Sequence, residues 1–325
     1  MAGIGTFISV GRSLDAALER VKRAEELGFD SVYTTHIAAR DSLAVLMAYA
    51  SVSERVRLGT GVLPAFSRTP VATAQAAATV DEFSDGRMVL GIGASHKVTN
   101  ENWFDTTIPK PVSQMREYAE ILRAIFRGEQ PPAGEFFRTN FAFMGYEARD
   151  DLPIYLAGLS PRMLRLAGEV GDGVVLWLCG PSYIRDVVVP AVREGRELAG
   201  KTLEGFDVVA AVPAALTDDR DGVYATMRRD LVTYMSLPFY RAMLERSGFA
   251  EEIAAFDAGM QGGEPERGLA GISDRMLGEL FAIGSAEEVR AGVQRYLDAG
   301  ASSPGVSAVP GTDFSATLET AAELL

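Results

Sequence analysis

The chain has 325 residues, 47% of them hydrophobic, which suffices for a large core built as two domains or as one α/β barrel with insertions. Lysine and arginine number 31 against 44 acidic residues, a formal charge of -13, and no element gathers basic side chains, which argues against a nucleic-acid partner. The single cysteine, Cys179, excludes an intramolecular disulfide and a cysteine metal cluster; no apolar run reaches the roughly 18 residues of a membrane helix. The N-terminus lacks a basic region ahead of its short apolar run, so a soluble, cytoplasmic protein is expected.

Short β-rich runs alternate with helical periods along the chain. Ile4–Ser9 is predicted as strand one, and Leu14, Ala17, Leu18, Val21, Ala24 and Leu27 then recur at helical spacing up to Gly28. SVYTT (31–35) is strand two and DSLAVLMAYASVS its helix. VRLGTGVLP (56–64) is strand three, followed by an alanine-rich helix with Pro70 in its first turn, where the missing N–H costs little. RMVLGIG is strand four, and a helical period resumes only near Val112, ending at Gly128. LPIYLAG and GVVLWL are strands five and six; the helix after the latter should be kinked by Pro190. FDVVAAVPAAL is strand seven. Ser285–Glu288 reads as a capping box, and PGVSAVPG supplies strand eight before a last helix.

Eight strands, each followed by a helix, predict an α/β fold of (β/α)8 TIM-barrel type. The expectation is one domain over residues 1–325, with Arg138–Asp151 and a partly helical insertion at about 217–283 as excursions. Chemistry in such a barrel sits at the C-terminal ends of the strands.

Strand four ends VLGIGASHK (89–97), which raises the question of a dinucleotide loop. That fingerprint needs a third glycine with a helix opening at once; here the third position is His96, and Asn100, Asn102, Trp103, Pro109 and Pro111 predict a loop instead. Both histidines, His36 and His96, follow strands on the same barrel face, where imidazole suits proton transfer near neutral pH or simple loop hydrogen bonding. After strand five, Gly158 permits close approach, Ser160 is a candidate N-cap and Pro161 fits the first helical position. The helix start then offers a phosphate site, or is an ordinary capped helix. The glycines of LGTGVLP suggest a bulge or relief of crowding. Trp103, Trp177 and Phe66 are candidate walls of an apolar pocket, or plain core. Cys179 is expected to be buried and unreactive. No metalloprotease helix, carboxylate cluster, nucleophile elbow or P-loop is present, so no catalytic metal is expected.

GFDSVYTTHIAARDSLAVLMAYA, ERVRLGTGVLPAFSRTPVATAQAAATVDEFSDGRMVLGIGASHK, PVSQMREYAEILRAIFRGE and LPIYLAGLSPRMLRLAGEVGDGVVLWL together resemble the bacterial luciferase-like superfamily, and more narrowly its deazaflavin-dependent oxidoreductases of actinobacterial type. The resemblance runs from about Leu14 to Thr217 and returns at Gly284–Pro310. It implies a usually dimeric barrel that binds coenzyme F420 or, in other branches, FMN. It also implies a non-prolyl cis peptide behind the isoalloxazine ring, which falls on Gly61–Val62 with Thr60 beside it. The phosphate-bearing tail would be held by Gly93, Ala94, Ser95 and His96 and by Ala157, Gly158, Leu159 and Ser160. The position of His36 varies among related sequences, so its proton-donor role rests on imidazole chemistry alone.

The activity expected is hydride transfer between F420 and a small organic substrate: reduction of C=C or C=N, or oxidation of an alcohol. An FMN-dependent monooxygenase of the same superfamily and a non-catalytic cofactor-binding barrel are the alternatives.

Overall fold

A computed structural model describes residues 3–325. Its parallel strands are β1 (Gly5–Phe7), β2 (Ser31–Thr34), β3 (Arg57–Thr60), β4 (Leu63–Pro64), β5 (Met88–Gly93), β6 (Ile154–Ala157), β7 (Gly173–Leu176), β8 (Asp207–Leu216), β9 (Ala282–Gly284) and β10 (Ser303–Ala308). Gly305 of β10 faces Gly5 on one side and Ala211 on the other, so the sheet closes on itself. β4 continues the third stave beyond β3 and pairs with the end of β5, and β9 pairs with the far end of β8. What remains is a (β/α)8 barrel whose eight staves follow chain order, as the strand count predicts.

The helices that cover the staves are α1 (Leu14–Glu26), α2 (Ser42–Ala50), α3 (Pro70–Phe83), α4 (Lys97–Trp103), α5 (Pro111–Phe126), α6 (Pro161–Val170), α7 (Pro181–Tyr183), α8 (Val189–Leu198), α9 (Arg220–Met235), α10 (Pro238–Arg246), α11 (Ala250–Gln261), α12 (Pro265–Gly271), α13 (Asp274–Leu280), α14 (Ala286–Asp298) and α15 (Phe314–Ala322). Their starts are set locally. Ser13, Asp41, Thr69, Ser160 and Asp313 each accept a backbone N–H of the first turn, and Ser285 with Glu288 forms the full capping box. The irregularity at Pro190 takes the form of a π turn, Ile184–Val188, between α7 and α8.

One expectation needs correction. A two-turn helix, α4, opens at His96 where a loop was expected. Val98, Thr99, Asn100 and Asn102 are weak helix formers, and the turn is held instead by a local side-chain bond: the Asn100 amide donates to the Ala94 carbonyl at 2.8 Å. The long segment after β8 is helical, as expected in part, with five helices, α9–α13, leading into β9.

The core has two layers. One lies between staves and helices; the other fills the barrel with Phe7, Tyr33, Val89, Tyr155, Val175, Val209 and Ala211, the Phe7 and Tyr33 rings stacking at 5.2 Å. At the N-terminal ends of the strands Arg57 plugs the barrel. It pairs with Asp30 and reaches Asp207 at 3.4 Å, while Tyr155 Oη donates to Asp207 at 3.0 Å. With that end sealed, the open end is the C-terminal one. No helix among the described residues is long and apolar enough to cross a membrane.

Candidate active site

The C-terminal stave ends surround a cavity of about 980 Å³, at the upper end of the range for small-molecule sites. Its floor on the third stave is the cis peptide Gly61–Val62. Gly93 continues that floor, and its bareness is required: a Cβ there would lie 2.8 Å from Val62 Cγ2 and 3.1 Å from Ala157 Cβ. Thr60 is fully buried and does not line the cavity; its hydroxyl donates to the Gly91 carbonyl at 2.6 Å and ties the two staves together from behind. The result is an apolar step on which the only side chain is that of Val62, flanked by the bare Gly61 and Gly93.

Beyond Gly93 the chain turns sharply, with Ser95 at φ +59°, and Ser95 and His96 reach the cavity. Ala94 does not; its carbonyl is taken by Asn100. Ala157, Gly158 and Leu159 line the neighbouring edge, where Tyr183 Oη donates to the Leu159 carbonyl at 2.6 Å. Ser160 stands back from the cavity and caps α6, accepting the Met163 N–H at 3.3 Å. Of the eleven tail and platform residues expected from resemblance, Thr60, Ala94 and Ser160 thus support the surface without forming it.

His36 lies at the end of the second stave, half-buried and on the cavity wall. Its Nδ1 accepts the backbone N–H of Ser42 at 3.2 Å and lies 3.1 Å from the Ser42 hydroxyl. An amide N–H can only donate, so Nδ1 is the acceptor and the neutral ring carries its proton on Nε2. Asp41, which caps the same helix, is clamped by Arg68. Burial pushes the Asp41 carboxyl up, but the Ala44 N–H and the Arg68 charge outweigh it, so it sits below the ordinary carboxylate value. Burial is the main influence on His36 and holds it below 6.5, with Asp41 raising it and Arg68 lowering it.

Trp103 and Trp177 both line the cavity, Trp103 on the rim with half its surface exposed. Phe66 does not line it. Its ring is buried against Tyr118 and Phe137, with centroids 6.1 and 6.5 Å away, because the 3-10 turn after Pro64 directs it into the helix layer. The rest of the aromatic wall comes from a place the sequence did not mark. Tyr234 of α9 and Tyr240 of α10 touch at 4.9 Å, Tyr234 meets Trp177 at 6.2 Å and Tyr240 meets His96 at 5.8 Å. Leu178 joins them at φ +56°, an unusual backbone for leucine. Cys179, next in sequence, is buried, and burial raises its thiol to about 12.

The sequence pattern of the luciferase-like monooxygenase family matches residues 1–303. The chain belongs to that family. Among its relatives, Rv3520c of Mycobacterium tuberculosis, assigned as a coenzyme F420-dependent oxidoreductase, is 30% identical over 298 residues, 84% of each chain. The 5,10-methylenetetrahydromethanopterin reductase of Archaeoglobus fulgidus is 33% identical over 292 residues, covering 86% of this chain and 85% of that one. The solved coenzyme F420-dependent tetrahydromethanopterin reductase of Methanopyrus kandleri superposes with a TM-score of 0.85 at 24% identity, covering 99% of this chain and 97% of that one.

In this luciferase-like barrel the two mouth histidines also tie stability to pH. Burial lowers His96 as it does His36, so both are neutral in the fold at pH 7. As pH falls, the unfolded chain takes up protons at these positions first. The stability they carry is therefore present above about pH 6.5 and lost as pH falls through their lower folded values. Thermal melts are expected to show this acid limb, and a His36→Gln/His96→Gln variant to flatten it. An unflattened limb in that variant would place the loss on other groups.

Proposed function

We propose that this chain is an oxidoreductase that binds coenzyme F420 and transfers hydride between it and a small organic substrate, either reducing C=C or C=N or oxidising an alcohol. The observation that carries the proposal is the apolar Gly61–Val62 and Gly93 step, together with a neutral imidazole donor on the wall of the same cavity of about 980 Å³. The F420-dependent relatives support the choice of cofactor. When bound, F420 supplies the hydride donor and acceptor; binding, orientation and proton placement fall to the chain.

In this reading Gly61 and Val62 back the ring, and Gly93, Ser95, His96, Ala157, Gly158 and Leu159 hold the tail. Thr60, Ala94 and Ser160 keep those loops in place. In the reducing direction His36 presents Nε2–H to the substrate oxygen or nitrogen and polarises it or supplies the proton there. In the oxidising direction the ring would carry its proton on Nδ1, donated to Ser42 Oγ, so that Nε2 takes up the alcohol proton. Trp177, Trp103, Tyr234 and Tyr240 wall the site and exclude water. The proposal takes residues 1–325 as one functional domain whose insertion, about 217–283, contributes that wall. It also takes the protein as a cytoplasmic homodimer, for which the exposed Phe83 on alanine-rich α3 offers a contact face.

The test is a pair of fluorescence titrations of the protein, one with F420 and one with FMN. Tight binding of F420 with weak FMN is the expected result. A preference for FMN would move the protein to the monooxygenase chemistry of its family, and binding of neither would end the reading.

A further inference from the structure

The cavity is chemically two-sided. The glycine loops lie on staves four and five; staves eight and one, β10 and β1, lie across the barrel from them. On that far side the wall carries two arginines, Arg20 of α1 and Arg229 of α9. The guanidinium of Arg20 lies 4.7 Å from the centre of the Phe314 ring. That of Arg229 touches Thr226 Oγ1 at 3.3 Å, and Thr226 shares an adjoining groove with Pro310, Thr312 and Asp313. Arg20 therefore lies against the start of α15, and Arg229 beside the groove that the loop after β10 lines.

Neither guanidinium is paired with a carboxylate among the described residues, although Asp230 also lines the cavity. Asp313 is occupied in capping α15. Nearby, Arg40 donates to the Gly11 carbonyl at 2.9 Å and Arg68 clamps Asp41, while Arg12, exposed after β1, does not line the cavity. The hydroxyls of Ser9, Thr35 and Ser307 line the same side, while Trp177, Leu178 and Tyr240 make the wall apolar elsewhere. Both arginines are exposed at the open rim; in a chain of net charge -13, two cations without a carboxylate partner on one rim are a local exception to the global field.

We infer that Arg20 and Arg229 bind an anionic group of the substrate, so that the substrate class is an organic acid: an apolar body, reduced or oxidised near His36, bearing a carboxylate or phosphate. This rests on the reading of the mouth as a deazaflavin site, because the same cations could meet the acidic tail of the cofactor itself. The position across the barrel from the glycine loops favours the substrate.

The experiment titrates benzoate, and separately inorganic phosphate, into the protein with and without F420, read by tryptophan fluorescence; both tryptophans line the cavity. Arg20→Gln and Arg229→Gln are each expected to raise the benzoate Kd about tenfold or more while the F420 Kd stays within about twofold. Arg229→Lys should recover part of the loss, since it keeps the charge without the planar fork. Benzoate and phosphate binding that is absent in the wild type, or unchanged in both glutamine variants, would overturn the inference. Weakened F420 with unchanged benzoate would assign the pair to the cofactor tail and overturn it equally. The titration without F420 keeps the two readings separate, because anion binding there is measured whether or not the chain takes up a deazaflavin.

Discussion

His36→Ala is expected to lower turnover by about two to four orders of magnitude, the usual worth of a positioned acid or base, with F420 binding changed by no more than about twofold. The imidazole is oriented before any ligand arrives. Ser42 N–H occupies Nδ1, the start of α2 is fixed by Asp41 and Arg68, and Nε2–H is left for the substrate. The loss should fall on kcat more than on KM, because the bond strengthens as charge builds on the substrate atom. His36→Gln should recover part of the rate, since its amide N–H can donate but cannot give up the proton. Steady-state kinetics on both variants decide the matter: His36→Ala within about fivefold of the wild type would remove His36 from the chemistry.

Gly91→Ala is expected to destabilise the fold by roughly 3 kcal/mol, at the upper end of ordinary overpacking. A Cβ at Gly91 would lie 2.0 Å from the Thr60 carbonyl oxygen, and a backbone atom cannot swing aside as a side chain can. The two staves would have to part where Thr60 Oγ1 bonds the Gly91 carbonyl, directly behind the cis-peptide step. F420 affinity should fall with stability. The same substitution at Gly278, in α13, meets nothing closer than the Tyr224 hydroxyl at 3.8 Å and should stabilise by about 0.5–1 kcal/mol through helix propensity. Urea midpoints for the pair are expected to move in opposite directions. A wild-type midpoint for Gly91→Ala would mean the staves yield freely.

The staves were legible because each is a short run of β-branched and apolar residues bounded by glycine or a cap, as in GVVLWL and RMVLGIG. Their order followed from the alternation with helices, since right-handed parallel crossovers leave few other arrangements. The floor of the site was legible only through resemblance; periodicity around LGTGVLP shows that the backbone is unusual and says nothing of how. Helix α4 was missed because the bond that holds it runs from Asn100 to Ala94, and propensity carries no information about such a contact. Phe66 was misplaced for a related reason. A position next to a strand end does not reveal which way a 3-10 turn points the ring. Tyr234, Tyr240, Arg20 and Arg229 carry no motif at all. They line the mouth from α1, α9 and α10, a juxtaposition that only the folded chain can show.

The ring closes late. Its last stave, β10, joins β8 to β1 by matching Gly305 with Gly5, and Thr6 Oγ1 donates to the Val306 carbonyl at 2.8 Å. Between the completion of β8 at Leu216 and the arrival of β10 at Ser303, a chain emerging from the ribosome thus holds seven staves with two open margins, on β1 and along most of β8. Such margins invite pairing with any extended strand nearby, and contacts some 300 residues apart form slowly. The window of greatest exposure is the interval before β10 leaves the exit tunnel, and aggregation in the cell would depend on how fast that interval passes.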